Sequence, residues 1–263
     1  MRIVILTASR RGTASYCLPA LLDHADAEIA GVIFSSGRPG NRMKFYRRKL
    51  KKMLGIGVMG ALNGIRMRKW FSIDSVEGRP IEDIEEICLR RGVPFREMML
   101  MNSPETADLL RSMNADLGLS LGNSYLSPKI FTAPRHGMLN IHGEVLPAFQ
   151  NAQSVIWQLY EGSGHTGYTI HKIERKIDTG EILKQESFPI LFRDRLQDTV
   201  TDTCAEILRR ACDGLVDTVN HFTEYDRLKK PQGAGRHYTT PSFRQFLRIK
   251  RNFNKLKKER KSQ

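Results

Sequence analysis

Two compact apolar runs at residues 3–8 and 28–34, separated by a helical pattern over 15–25, constrain the fold more than any other feature of this chain. A two-residue turn can join antiparallel strands, whereas parallel strands need a crossover of about a dozen residues or more, usually a helix. The spacing here fits a βαβ opening, which predicts an α/β fold wound around a mostly parallel sheet. The rhythm breaks after Ser36 into a basic segment and resumes at 80–91. That stretch reads as a helix with Pro80 at its start, acids Glu82, Asp83, Glu85 and Glu86 near its positive end, and Gly92 as its stop. Strands are expected at 93–96, 116–121 and 137–142, with helices at 104–113 and 153–161. Alternation over 166–173 and 181–188 predicts two antiparallel strands flanking a loop that carries Asp178. Val200, Cys204, Ile207, Leu208, Ala211, Leu215, Val216 and Val219 form the apolar stripe of a closing helix over 196–222.

A chain of 263 residues can bury a sizeable core. Its net charge of +14 resembles a nucleic-acid-binding signature until the distribution is examined. Residues 38–69 hold eleven Lys and Arg with no acid, and residues 244–263 hold nine against Glu259, so the remainder is mildly acidic. Cys17, Cys88, Cys204 and Cys212 lack metal-ligand or redox spacing, which fits a reduced cytoplasm. The first apolar run is too short for a signal-peptide core, and no run of about 18 apolar residues is present to span a bilayer.

Asn140 and His142 are two apart, so on one strand their side chains share a face, at a strand end where ligands of open α/β sheets bind. A carboxylate beside an imidazole fixes its tautomer and then holds its charge, the role expected of Asp178. The amide of Asn140 can donate to an oxygen that becomes negative in a tetrahedral intermediate. No Ser or Cys nucleophile motif accompanies these groups, so the set points to acyl transfer without a covalent enzyme intermediate.

The ordered pattern Leu126-Ser127-Pro128, Gly137, Asn140-Ile141-His142-Gly143, Leu146-Pro147, Thr166-Gly167, Thr169-Ile170-His171 and Asp178-Thr179-Gly180 resembles the N10-formyltetrahydrofolate-dependent formyltransferase family. The resemblance implies a Rossmann-like domain, N10-formyltetrahydrofolate as co-substrate, and Asn140, His142 and Asp178 as the catalytic set. It maps the pterin-binding backbone loop onto Gly122, Asn123, Ser124, Tyr125 and Leu126. The loop around Asp178, with Ile177, Thr179 and Gly180, is expected to close the other side of the pocket. The chain departs from the family after His142, with Glu144-Val145 and then Phe149-Gln150-Asn151 where an aromatic residue followed by Arg-Gly is usual. That leaves the acceptor side open. Glu144 reads as a solvated rim residue, with an extra base or a guide for a cationic amine as the alternative. His171 reads as a packed or partly exposed histidine, His136, His165 and His237 have no metal-ligand spacing, and Gly12 simply turns the chain.

Residues 1–190 read as the catalytic domain, interrupted by a basic insertion at 36–75, with 191–240 as a closing helix and extension and 241–263 as a basic tail. Within 38–71 an apolar, Gly-rich centre lies between basic flanks, which fits either an interfacial element on an anionic membrane or a helical lid. Residues 244–263 can form a basic amphipathic helix, which either pairs with that segment on one surface or is a frayed, solvated end. Among acceptors, the length and the short C-terminal extension most resemble enzymes that formylate nucleotide-linked amino sugars. Methionyl-tRNA, water in a formyl-folate hydrolase, and a non-enzymatic basic membrane- or RNA-binding module remain alternatives, and a homodimer is left open.

Overall fold

The computed structural model describes residues 1–37 and 42–261; the start of the basic segment at 38–41 and the last two residues of the tail lie outside the described residues. β1 (Arg2–Thr7), α1 (Thr13–His24) and β2 (Glu28–Ser35) form the expected opening, with β1 and β2 paired in parallel. Ile3, Val4, Ile5 and Leu6 are all fully buried, as a strand covered on both faces requires. Each such side chain contributes about 1.5–3 kcal/mol by leaving water.

The basic segment forms α2 (Arg42–Met67), whose backbone leaves helical geometry at Gly57, followed by a 3-10 turn (Arg68–Phe71) that buries Trp70. A small hairpin, β3 (Ser75–Val76) and β4 (Arg79–Pro80), precedes α3 (Ile84–Arg91). The sequence reading started α3 at Pro80, but Pro80 sits in β4 and Asp83 begins the helix by accepting the Glu85 N–H at 2.9 Å. Arg10 fastens that cap by donating to both Asp83 carboxylate oxygens. Gly92 ends α3 in the left-handed conformation, as expected of a residue without Cβ.

β5 (Phe95–Met98) falls two residues later than expected, while α4 (Pro104–Ser112) and β6 (Leu117–Ser120) fall where the pattern placed them. A one-turn helix that the periodicity did not announce, α5 (Pro128–Phe131), precedes β7 (Met138–His142). α6 (Ile156–Glu161) starts later than the expected 153, because Val155 adopts a left-handed φ of 70°. β8 (His165–Lys172) and β9 (Ile182–Pro189) form the predicted antiparallel pair. The chain then continues through α7 (Leu196–Asn220), α8 (Phe222–Leu228) and α9 (Phe243–Lys261).

The seven-stranded sheet has the order β5-β2-β1-β6-β7-β8-β9, parallel through β7 and antiparallel beyond it. A large apolar layer that includes residues of α1, α3, α6 and α7 covers one face, and a smaller one that draws on α4 and α5 covers the other. Strand order reverses at β1, with β2 on one side and β6 on the other, which opens a crevice at the carboxyl ends of β1, β6 and β7. All four cysteines are free and buried, with Cys204 and Cys212 both on α7.

Candidate active site

That crevice holds a cavity of about 550 Å³ lined by Asn140, His142 and Asp178 together with residues 122–126 and Ile177. The sheet brings the first of these together. Ser120 of β6 lies opposite Asn140, and on the other side of β7 Asn140 lies opposite His171 of β8. Directly opposed residues on one face of a sheet touch, and Asn140 Nδ2 is 3.2 Å from His171 Nε2. The carbonyl of Lys172 can only accept, so His171 must carry its proton on Nδ1, which donates to that oxygen at 2.8 Å. Nε2 is then a lone pair, and Asn140 donates to it. This fixes the orientation of the Asn140 amide, a residue that lines the cavity, with one N–H directed to His171.

His171 is 2% exposed, and burial pushes its pKa down to about 4 against the pull of the Lys172 carbonyl and of Asp178. It is therefore neutral at pH 7, and its 3.7 Å approach to Asp178 Oδ1 is no ion pair. The sequence reading, a packed or partly exposed histidine, left its burial open and missed its contact with Asn140. The available signal was the alternation that puts Thr169 and His171 on one face of a strand beside β7.

His142 lies between two acceptors. Its Nε2–H donates to the Phe149 carbonyl at 2.8 Å, while Nδ1 is 3.6 Å from Asp178 Oδ2, beyond direct hydrogen-bond reach. The tautomer is thus set by Phe149 and not, as expected from sequence, by Asp178. Asp178 is held in place by the Asn151 N–H at 2.9 Å and takes a left-handed φ of 55°, as Asn151 does at 51°. Two non-glycine residues in this sparsely populated region mark a loop that the fold holds against its local preference.

On the opposite wall, Gly122 turns the chain at φ 82°, and the Asn123 amide donates to Leu6 O and Ser120 Oγ, tying the loop to the ends of β1 and β6. Asn102 grips the loop from the far side through Tyr125 O and Ser127 N. Asn123 Oδ1 is buried without a partner, an acceptor suited to a ring N–H of a bound ligand. Thr179 and Gly180 do not line the cavity. Thr179 bonds back to Lys176, and Gly180 is pressed against the Lys172 carbonyl, where a Cβ would lie 1.9 Å from the oxygen. Among the described residues no His/Cys/Asp/Glu cluster is arranged to hold a metal ion.

Glu144 departs from its expected place on the rim: it is fully buried. Its Oε1 accepts the Val155 N–H at 2.8 Å, occupying a backbone donor at the start of α6 that no helical carbonyl can reach. Burial pushes its pKa well above the ordinary carboxyl value of 4.5, with the backbone N–H groups of Val155 and Val145 working against the shift. A carboxyl raised in the folded state stabilises the fold fully below its unfolded pKa and loses that contribution as pH rises toward the folded one. Glu144→Gln keeps an oxygen for Val155 and cannot ionise. Its melting temperature should therefore gain on that of the wild type between about pH 5 and pH 8. A constant difference across that range would show that Glu144 ionises freely in place.

The architecture is shared with solved formyltransferases. A glycinamide ribonucleotide transformylase from Symbiobacterium toebii matches with a TM-score of 0.57 and 22% identity, covering 85% of this chain and 88% of that one. A sugar 3N-formyl transferase solved in the presence of dTDP and 5-N-formyl-THF matches with a TM-score of 0.54 and 15% identity, covering 90% and 69%. These likenesses define the class of fold, a Rossmann-like formyltransferase sheet. The formyl transferase family profile matches residues 78–216, and the chain belongs to that family. A methionyl-tRNA formyltransferase from Thermosynechococcus vestitus is 30% identical over 143 residues, 54% of this chain and 42% of that one. The chain thus matches less than half the length of that relative.

Proposed function

We propose that this chain transfers a formyl group from N10-formyltetrahydrofolate to a primary amine. The observation that carries the reading is the convergence of Asn140, His142 and Asp178 on one cavity whose opposite wall is the loop 122–126. The volume of about 550 Å³ is within the ordinary range for a site that encloses a cofactor-sized ligand. The pterin fits the polar backbone of 122–126 and the unpartnered Asn123 Oδ1, with Ile177 across the mouth.

In this reaction the neutral amine attacks the formyl carbon, a C–N bond forms, and the carbonyl electron pair moves onto oxygen. The other N–H of Asn140 donates to that oxyanion. With Nε2–H committed to Phe149, the open lone pair of His142 is at Nδ1, so the proton shed by the amine lands there. Asp178 then faces the new Nδ1–H and holds its charge. As the tetrahedral species collapses, the bond to the folate nitrogen breaks and that nitrogen takes the proton.

For the acceptor we favour the amino group of a nucleotide-linked sugar. Asn151, Gln153 and Lys176 line the cavity with hydrogen-bond donors and one cation, groups that suit sugar hydroxyls and a phosphate. Methionyl-tRNA is the second reading, supported by the kinship with methionyl-tRNA formyltransferases. The test follows tetrahydrofolate release from N10-formyltetrahydrofolate with dTDP- and UDP-linked amino sugars, with methionyl-tRNA, and with no acceptor. A sugar-dependent rate supports the favoured reading, and a rate with methionyl-tRNA alone replaces it by the second. Formate release that ignores every amine would make the chain a hydrolase and end the transferase proposal.

A further inference from the structure

The feature that formyl transfer leaves unexplained is the outward face of α2. Beyond Gly57 this helix has two unlike sides. Gly60 and Gly64 turn inward so closely that an added Cβ would lie 3.2 Å from Ser242 Cα and 2.7 Å from Thr240 Cγ2, and Met67 on the same side is fully buried. The other side carries Val58, Met59, Leu62 and Ile65, which are 68%, 53%, 55% and 60% exposed, and Leu54 extends it before the kink at 75%. Glycines make the intramolecular contact while large apolar side chains meet water, the reverse of a helix whose only task is to cover a core.

Charge brackets this face. No Asp or Glu occurs from Gly37 to Ile73, and Arg47, Arg66, Arg68 and Lys69 flank the apolar residues. α9 packs beside α2 and brings nine Lys and Arg against Glu259, with Leu247 also exposed. At their junction a cleft of about 350 Å³ is lined by Arg66 and Lys250 with Trp70 and Phe246; Arg195, also on its wall, is paired with Asp198, and its acid, Asp194, is engaged by Lys257.

We propose that α2 and α9 dock this chain onto an anionic bilayer surface. The apolar face of α2 enters the headgroup–acyl boundary in the plane of the membrane, and the surrounding cations, with the cleft, take the lipid phosphates. In-plane docking agrees with α2 and α9 themselves, since among the described residues no helix is long and apolar enough to cross a membrane. A second copy of this chain fits poorly, because it would bring one acid-free cationic helix against another. A nucleic acid fits the cations but gives the apolar side chains nothing to enter. The proposal is independent of the transfer reaction.

The test is co-sedimentation of the full chain with phosphatidylcholine vesicles containing about 30 mol % phosphatidylserine at about 0.15 M salt, against vesicles of phosphatidylcholine alone. Pelleting is expected with the first and not with the second. The double variant Leu54→Gln, Leu62→Gln alters only exposed side chains, so it should melt like the wild type yet partition about tenfold more weakly. Arg66→Glu with Lys250→Glu should weaken binding to the anionic vesicles by about tenfold or more. The proposal falls if the wild type stays in the supernatant, or if the Gln variant pellets as well as the wild type. It also falls if sedimentation velocity reveals a dimer that the Gln substitutions dissociate, or if RNA competes the chain off the vesicles completely.

Discussion

His142→Ala is expected to lower kcat by about 10³- to 10⁴-fold while changing affinity for a folate analogue only severalfold. In the proposed reaction the imidazole supplies its open Nδ1 lone pair, because its Nε2–H is committed to the Phe149 carbonyl. Alanine removes that lone pair, whereas the loop at 122–126 is tied to β1 and β6 through Asn123 and keeps its anchors. Steady-state kinetics paired with calorimetric binding of the analogue separate the two effects. A kcat within about tenfold of the wild type would remove His142 from proton transfer.

Asp178→Asn is expected to cost about 10²- to 10³-fold in kcat with donor binding retained. The amide oxygen of asparagine can still accept the Asn151 N–H, so the loop keeps its anchor. The carboxylate charge is lost: the Nδ1–H formed on His142 would face an amide across the 3.6 Å gap. Two unit charges about 4 Å apart at an effective dielectric near 20 attract by about 4 kcal/mol, an upper bound that matches the larger end of the expected loss. Since the tautomer of His142 rests on Phe149, the effect should appear as a lost charge and not as a misturned ring. The crystal structure of the variant should show the His142–Phe149 bond intact. Turnover equal to the wild type would exclude Asp178 from the mechanism.

The parts of this fold that could be read from letters alone were those where side-chain period decides the structure. The alternation in β8 and β9, the apolar stripe of α7 and the crossover between β1 and β2 all emerge where the pattern put them. The errors have local causes. Asp83 outcompetes Pro80 for the start of α3 because a side-chain acceptor satisfies a helix N–H that proline merely tolerates. Glu144 was assigned to the surface because acids usually are, and only the fold shows the Val155 N–H that draws it inside. At the candidate site, order along the chain singled out Asn140, His142 and Asp178, and the fold brings these three to one cavity. The roles of His171, Phe149 and Asn151 were not. The first depends on cross-strand register, and the other two act through backbone atoms, which no residue letter announces.

The stretch that presents Asn151 to Asp178 is braced from far downstream. Gln150 N–H donates to Arg236 O, Tyr238 N–H donates to Gln150 O, and the Asn151 amide donates to Tyr238 O. During synthesis the loop 122–126 and the strands of the sheet therefore emerge well before this brace does. A nascent chain halted short of Arg236 carries every side chain that lines the cavity but lacks the backbone partners that steady one rim of it, so that rim is completed late in translation.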